Sequence, residues 1–554
     1  LKMTNRLSYV SNISCEDIFT NEVKELLIHL HDKFIPELDE IRKIRIENQA
    51  LARSGKKLGH LEKSEANGEW TVGELPEELR TPGIEISGPA GLTSMLINAL
   101  NPGPNGVRAE GDLDDDEDAA GHTLEDTIFA TRNRMNATLG KLDYTNPDTG
   151  KQYKLQPGKI PFFMHRERGL HLDESQVCVD GRPISATILG TTLTLMFGGR
   201  EQHKKGESVY FYIPKTESKR EAKFYNNLFS EIKSYVKDLS DINIKAIILI
   251  ESLPAVYQME EMLFALGEYA AGLNAARWDL KASILEYVLH DKDYVWPDRF
   301  DVTIQNTEFM SNIFRRLVAV CLKHNAVPIG GMATALPSKD QEVNDEAAKS
   351  IKSDKEWEAK QGFVRAWVAH IYHMDSAAEP FKKLSSSDWK PSEEMKIPEN
   401  YPVKIDNPSG KLTREGTRQN IRTLIEYLEG WLNGRGAKGI DRLSGRPGKR
   451  PALMEDLATA RISTAQIAQR IIHKSIAEDT EEAHSFELVK EIVTAETQDI
   501  ISDVGGNDEI VSRYEKSAKI ALRWIKNYTD YDFRSLGTYT RKDLDQISLE
   551  EDAF

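Results

Sequence analysis

The sequence predicts an α/β protein whose centre is a parallel (β/α)8 TIM barrel, with helical regions on either side. Three observations carry this expectation. Short apolar runs alternate with helix-period stretches from Gly88-Pro89 to about His373, the pattern of successive βαβ units. Long helical patterns without strands take over after a Pro-, Ser- and Lys-rich stretch at 380–412. Charged residues follow directly on strand-like runs, as they do in barrels that gather their chemistry at the C-terminal strand ends.

The elements follow in order. Ile18, Val23, Leu26, Leu27, Leu30, Phe34 and Ile35 recur at steps of three and four, so Cys15 to Arg53 reads as an amphipathic helix. Residues 54–85 are rich in Gly, Pro and charge and read as an extended connection. Met95 to Leu100 closes a helix. Strands are expected at Ile160–Phe163, Val209–Ile213, Ile244–Ile250, Val302–Ile304 and Val327–Ile329, with helices at Val256–Leu266 and Phe314–Leu322. Asn146-Pro147-Asp148-Thr149-Gly150 supplies turn chemistry for a hairpin from Tyr144 to Tyr153, part of a small β insertion around 140–185. Ile421–Trp431, Leu457–Ile472 and Ile510–Trp524 read as helices of a separate C-terminal domain. The expected division is 1–85 for an N-terminal helical clasp and linker, 86–375 for the barrel with its insertion, and 376–554 for the helical C-terminal domain.

Composition narrows the function classes. A formal charge of −16 gives no global basic footprint, which argues against nucleic acid and anionic membrane surfaces as partners. Cys15, Cys178 and Cys321 lie far apart without metal-type spacing and fit a reducing compartment. No apolar run approaches the ~18 residues that cross a bilayer, and Leu1 to Tyr9 lacks a signal-peptide apolar region. Glu551-Asp552-Ala553-Phe554 is not the Ser-Lys-Leu peroxisomal address, so the expected location is cytoplasmic.

Two carboxylates stand out by position. Glu251 follows the run Ala246–Ile250, and Asp279 follows the turn at Gly272 within Arg277-Trp278-Asp279. Acidic residues at neighbouring strand ends suit a hard divalent cation, which prefers oxygen ligands and keeps positions open for substrate. A salt bridge from Glu251 or Asp279 to Arg277 is the plainer alternative. His165-Arg166-Glu167-Arg168 places guanidinium groups after a strand, where they can clamp a carboxylate or stabilise an enolate oxygen, or simply pair at the surface. The run Asp112 to Asp118 with Glu125 has partial EF-hand spacing, but Ala119 stands where glycine is needed, so a solvated acidic loop is expected. His370 and His373 have no evident third ligand, and His29 and His31 do not share a helix face. Gly445 to Arg450 lacks the Walker spacing and reads as a basic loop.

Taken jointly, Arg166 with Gly169 and His171, Leu249-Ile250-Glu251, Gly272-Leu273-Asn274 with Arg277-Trp278-Asp279, and Leu453-Met454-Glu455-Asp456 resemble malate synthase of the A or glyoxysomal type. Ile86 to Asn101, Val179-Asp180-Gly181, Tyr212 to Lys215, Gly330 to Ala333 and Trp367 to His370 extend the resemblance, in order, from about residue 70 to 475. It implies a (β/α)8 barrel with an N-terminal clasp and a C-terminal helical plug. It also implies Claisen condensation of acetyl-CoA with glyoxylate and thioester hydrolysis to malate, using Mg2+. By motif position Glu251 and Asp279 are then the metal ligands, Arg166 the catalytic arginine and Asp456 the catalytic base. Ala276, Arg277, Trp278 and Asp279 are the glyoxylate-binding segment, acting partly through backbone amides, together with Arg166 and Glu251. Asp456 also reads as a first-turn helix carboxylate, and a base at a helix start satisfies both readings. The chain departs from the family at Glu167, Leu170, Leu280, Ile371, Leu189 to Thr192, the acidic run and a basic loop before Leu453. These departures keep two alternatives in view: an enzyme for another 2-oxo acid and acyl-CoA pair, malyl-CoA lyase-like, or a non-catalytic binding protein. A homo-oligomer is compatible with the sequence, which does not specify the state.

Overall fold

The computed structural model describes residues 3–550; the terminal tetrapeptide read for its address lies outside the described residues. Eight strands close into a barrel: β1 (Gly83–Pro89), β2 (Gly111–Asp115), β3 (Phe162–Arg166), β4 (Val209–Ile213), β5 (Ile244–Ile250), β6 (Ala270–Ala275), β7 (Val327–Ala333) and β8 (Arg365–Val368). Every neighbouring pair is parallel, and β8 returns to β1 with Trp367 opposite Glu85. Parallel strands covered on both faces need near-continuous apolar runs. β5 meets that demand, being buried along its whole length as Ile-Lys-Ala-Ile-Ile-Leu-Ile. Gly272 sets the closest approach of β6 to β7, since a Cβ there would lie 1.9 Å from the Val327 carbonyl oxygen.

β2 is the strand that the sequence pattern hides. Asp and Gly are depleted from strands, and Gly-Asp-Leu-Asp-Asp offers only one apolar residue. The expectation of a solvated acidic loop is overturned, because Asp112 and every residue from Asp114 to Asp118 are buried. Burial is tolerated because cations converge on the run: Arg134 on Asp114 and Asp116, Arg166 on Asp115, and Lys215 on Glu117 and Asp118. Val302–Ile304 is not a strand either. It follows a short 3-10 turn at Arg299–Asp301, and its apolar signal comes from Val302 and Ile304 packing inward from irregular chain. The expected insertion around 140–185 divides in two, with β3 between the parts. One is the hairpin Asp143–Thr145 with Gln152–Lys154; the other joins Leu7–Tyr9, Asp173–Val179 and Arg182–Ser185 in an antiparallel sheet.

Helix α1 (Asn21–Arg53) lies along the barrel, capped by Thr20, whose Oγ1 accepts the Val23 N–H at 3.3 Å. Its apolar stripe, Val23, Leu26, Leu27, Leu30, Phe34, Leu38 and Ile41, packs on barrel helices including α2 (Trp278–Val288). The C-terminal region is helical: α3 (Arg414–Leu432), α4 (Leu457–Ile472), α5 (Phe486–Val504) and α6 (Asp508–Thr529). α4 sits against α3, α6 and α2, so one helix links the C-terminal bundle to the end of β6. Among the described residues no helix is long and apolar enough to cross a membrane.

Candidate active site

The barrel geometry delivers four charged groups to one rim. Arg166 is the last residue of β3, Lys215 lies two beyond β4, Glu251 directly follows β5, and Asp279 lies in the first turn of α2 after β6. Arg166 is fixed by Asp115 at the end of β2, its Nε and Nη2 donating to the two carboxylate oxygens at 2.8 and 2.6 Å. Its guanidinium also lies 5.4 Å from the centre of the Trp367 ring. Nη1 is the edge left for a ligand.

Asp118, Glu251 and Asp279 each offer an oxygen within 4.8 Å of the others, and all three are buried. Lys215 stands among them. Its backbone is in the left-handed region, at φ 56°, which is costly for a residue with a Cβ and marks a held conformation. That conformation aims its amide at Glu251 Oε2, 2.7 Å away, and its Nζ at Asp118, Asp279 and Glu251, at 2.9, 3.1 and 3.8 Å. Arg461, on α4, reaches Asp279 Oδ1 at 3.1 Å. Burial, with repulsion from Asp279 and Glu117, pushes the Asp118 carboxyl well up, while Lys215 and Arg461 hold Asp279 down. The donor set is all oxygen, and Asp118 Oδ1 is buried without a hydrogen-bond partner. These residues fit a hard divalent cation.

Asp456 comes from the other side. It is the N-cap of α4, with Oδ1 accepting the Ala458 N–H at 3.0 Å and Thr459 Oγ1 accepting the Asp456 N–H at 3.3 Å. The helix-start and site readings of this residue therefore coincide. It follows the strand Leu453–Glu455, which pairs with Lys438–Ile440 and is tied to the barrel by Met454 N–H to Thr334 O at 2.8 Å and Leu336 N–H to Ala452 O at 2.9 Å. Burial and the nearby Asp279 raise the Asp456 carboxyl to about 7, against the pull of Arg166. A cavity of about 100 Å3 brings Asp456, Arg166, Glu251, Asp118 and the segment Ala276–Asp279 onto one space. Ala276 to Asp279 open α2, whose first amides lack intrahelical partners and favour an anion.

Every site residue expected from the sequence reaches this space. The plainer alternative for Glu251 and Asp279 fails, since Arg277 pairs instead with Asp354 at 2.9 Å and Glu358 at 3.3 Å. Glu167, the departure beside Arg166, turns away and accepts from Thr194 Oγ1 at 2.5 Å. Leu280 is buried in the core, and Lys281 donates to Val302 O at 2.8 Å. His370 and His373 belong to no metal-type group among the described residues; His370 Nδ1 accepts the Tyr372 N–H at 3.1 Å. Sequence reasoning missed Asp115, Asp118, Lys215 and Arg461 as site groups. The signal for the first two was the acidic run itself, read as the end of a strand rather than as a loop.

Two family models match, "Malate synthase, TIM barrel domain" over residues 162–404 and "Malate synthase, C-terminal" over residues 411–541. Curated relatives run almost end to end with the chain. It is 32% identical to malate synthase A of Escherichia coli, covering 95% of each chain. It is 35% identical to malate synthase of Myxococcus xanthus, covering 84% of this chain and 83% of that one. It is 31% identical to the glyoxysomal malate synthase of Candida tropicalis, covering 93% and 91%. With the closed parallel barrel and the helical C-terminal region, these matches make the chain a member of the malate synthase family, an acyl-transferring enzyme.

Proposed function

We propose that this chain condenses acetyl-CoA with glyoxylate and hydrolyses the resulting thioester to give malate and CoA, using Mg2+. The observation that carries the reading is the meeting of Asp456, from the C-terminal region, with Arg166, Glu251 and Asp279, from three barrel strand ends, on one small cavity. Glu251 and Asp279 are the proposed metal ligands, with Asp118 beside them. A divalent cation held there supplies Lewis acidity toward the glyoxylate aldehyde oxygen and a template for its carboxylate. Arg166, Glu251 and the residues Ala276, Arg277, Trp278 and Asp279 bind the acid, the last four partly through their amides.

Asp456 is the base. Its free Oδ2 takes a proton from the acetyl methyl group, and its raised pKa of about 7 brings it closer to so weak a carbon acid than an ordinary aspartate. The negative charge that develops on the thioester oxygen falls to Arg166 Nη1. Asp115 prevents that guanidinium from turning, so the stabilisation needs no reorganisation at the moment of proton transfer. The methyl carbon then bonds to the aldehyde carbon as the carbonyl π pair moves to the aldehyde oxygen, which takes up a proton to become the hydroxyl, and water cleaves the thioester, releasing CoA and a carboxylate. Leu280, one of the departures that kept a different acid or acyl group in view, sits in the core, and Glu167, the departure beside Arg166, turns away to Thr194.

The test is free-thiol release with acetyl-CoA, glyoxylate and Mg2+ together, absent when any one is withheld. No thiol release with all three present overturns the reading.

A further inference from the structure

The acid-binding segment Ala276–Asp279 stands beside the carboxylate wall of Asp118, Glu251 and Asp279, and Trp278 within it lines the small cavity. Against that indole lies a column of cations and rings that the reaction does not use. Lys281 Nζ is 4.1 Å and the Arg299 guanidinium 4.9 Å from the centre of the Trp278 ring. Arg299 also lies 4.0 Å from the centre of the Phe300 ring, and Arg442, from the basic stretch, lies 3.5 Å from the same centre. Two guanidiniums that close cannot share one face, so they sandwich the ring. The column therefore runs from Arg442 through Phe300 and Arg299 to Trp278, and joins the basic loop to the segment that takes the acid.

The cations of this column are not neutralised by contact. Arg277, the cation in the segment itself, is taken by Asp354 and Glu358. The other three meet neutral oxygens instead: Lys281 Nζ donates to Val302 O at 2.8 Å, Arg299 Nε to Asn420 Oδ1 at 2.7 Å and Arg442 Nε to Gln419 Oε1 at 3.2 Å. None of the three makes an ion pair among the described residues. Arg299 is the extreme case, being 2% exposed with Nη1 and Nη2 buried and without a hydrogen-bond partner. Burial lowers its guanidinium to about 10, against the pull of Glu455, so it keeps its charge at neutral pH. An arginine held on two aromatic rings, with no carboxylate touching it, projects its charge onto whatever those rings adjoin.

We propose that Arg299, backed by Arg442 through the Phe300 ring, is a positioning residue of the acid site: it fixes the Trp278 indole and supplies unpaired positive charge beside the amides of Ala276–Asp279 as they take the carboxylate of a small 2-oxo acid. This rests on the condensation reading above and deepens it, since the column then sets the affinity for the acid and leaves the acyl side alone. It also gives the basic stretch before Leu453, one of the departures from the family, a part in the site.

The test is glyoxylate binding to the full Mg2+-loaded chain by titration calorimetry, with no acetyl-CoA present, alongside steady-state kinetics. Arg299→Met is expected to weaken glyoxylate binding about tenfold and to raise its KM in step, with kcat and the KM for acetyl-CoA within about twofold of wild type. Arg442→Met changes a half-buried loop residue and is expected to weaken binding about threefold; Arg442→Lys, whose ammonium also stacks on Phe300, should recover most of that loss. If Arg299→Met fails to fold, the two Arg442 variants decide alone. Wild-type glyoxylate affinity in the methionine variants, or a lower kcat at unchanged affinity, overturns the assignment. Failure of the condensation reading has a different signature: the variants still bind glyoxylate more weakly than wild type, but no thiol is released by any of them.

Discussion

Two of the barrel's buried charge clusters are opposite in character. In its interior Arg365 Nε donates to one Glu85 oxygen at 2.6 Å, Tyr212 donates to the other at 2.7 Å, and Trp367 donates to Tyr212 at 3.0 Å. One acid meets one base. At the mouth six carboxylates, Asp115, Glu117, Asp118, Glu251, Asp279 and Asp456, face three cations, Arg166, Lys215 and Arg461. In the interior cluster both Glu85 oxygens are paired and charge balances charge, with Arg365 Nη2 left as a buried donor without a partner. The mouth keeps an excess of negative charge in a desolvated place, a cost that a divalent cation or a proton relieves. Burial and shifted ionisation occur in both; charge balance separates scaffold from site.

The sharpest way to break this contrast is to neutralise one member of each cluster. Asp456→Asn is expected to lower kcat by at least about a thousandfold with little change in thermal stability, measured by thiol release and calorimetry. Glu85→Gln should do the reverse. It leaves Arg365 uncompensated in the interior and is expected to cost about 3–5 kcal/mol in denaturant unfolding, with kcat nearly unchanged; the double variant Glu85→Gln/Arg365→Met should regain most of that loss. If Glu85→Gln instead abolishes turnover at unchanged stability, the division into scaffold and site is wrong.

Smaller effects sharpen the same comparison. Asp118→Asn is expected to weaken Mn2+ binding roughly tenfold, about 1.4 kcal/mol, by electron paramagnetic resonance, since the wall loses one of its three carboxylates. kcat/KM for acetyl-CoA should fall toward tenfold per pH unit below the Asp456 pKa, because the base must be ionised; Mg2+ held by the adjacent Asp279 places that break below the metal-free value of about 7. The metal-free chain should lose stability as pH rises from about 4 toward 7. Asp456 and Glu117 hold protons in the fold up to about 7, while their ordinary values are 3.8 and 4.5. The folded state therefore binds more protons across that window, and its advantage disappears as they leave. A rise of a few degrees in melting temperature on adding Mg2+ at pH 7.5, and less at pH 5, is the expected readout.

How much of this was legible in the sequence depended on what each element is made of. β4 and β5 are continuous apolar runs and announce themselves; Glu251 was found because it follows one. β2 is written in aspartate and glycine, and what makes it a strand is its pairing on both sides, to β1 and β3, together with cations from other elements. Local propensity carries none of that information. Asp456 and Arg166 were recognised by motif, yet the residues that hold them, Asp115 and the backbone of Thr334, lie far away in the chain. Lys215 was quoted within a strand motif without a role, because its contribution depends on a left-handed backbone that no side-chain pattern encodes.

The two backbone hydrogen bonds that fasten Leu336 to Ala452 and Met454 to Thr334 also bear on how this chain tolerates change in length. The basic stretch 441–450 leads from the strand Lys438–Ile440 to its partner Leu453–Glu455, and it is the second strand that carries both bonds to the barrel. Residues added or removed in that stretch come before the pinned strand, so the acid at the start of α4 keeps its station. Arg442 over the Phe300 ring, Ser444 on Asp499 and Lys449 on Glu342 hold the flanks of the stretch, which leaves its exposed tip, Gly445 to Gly448, as a natural place to graft a tag, a sensor or a binding peptide.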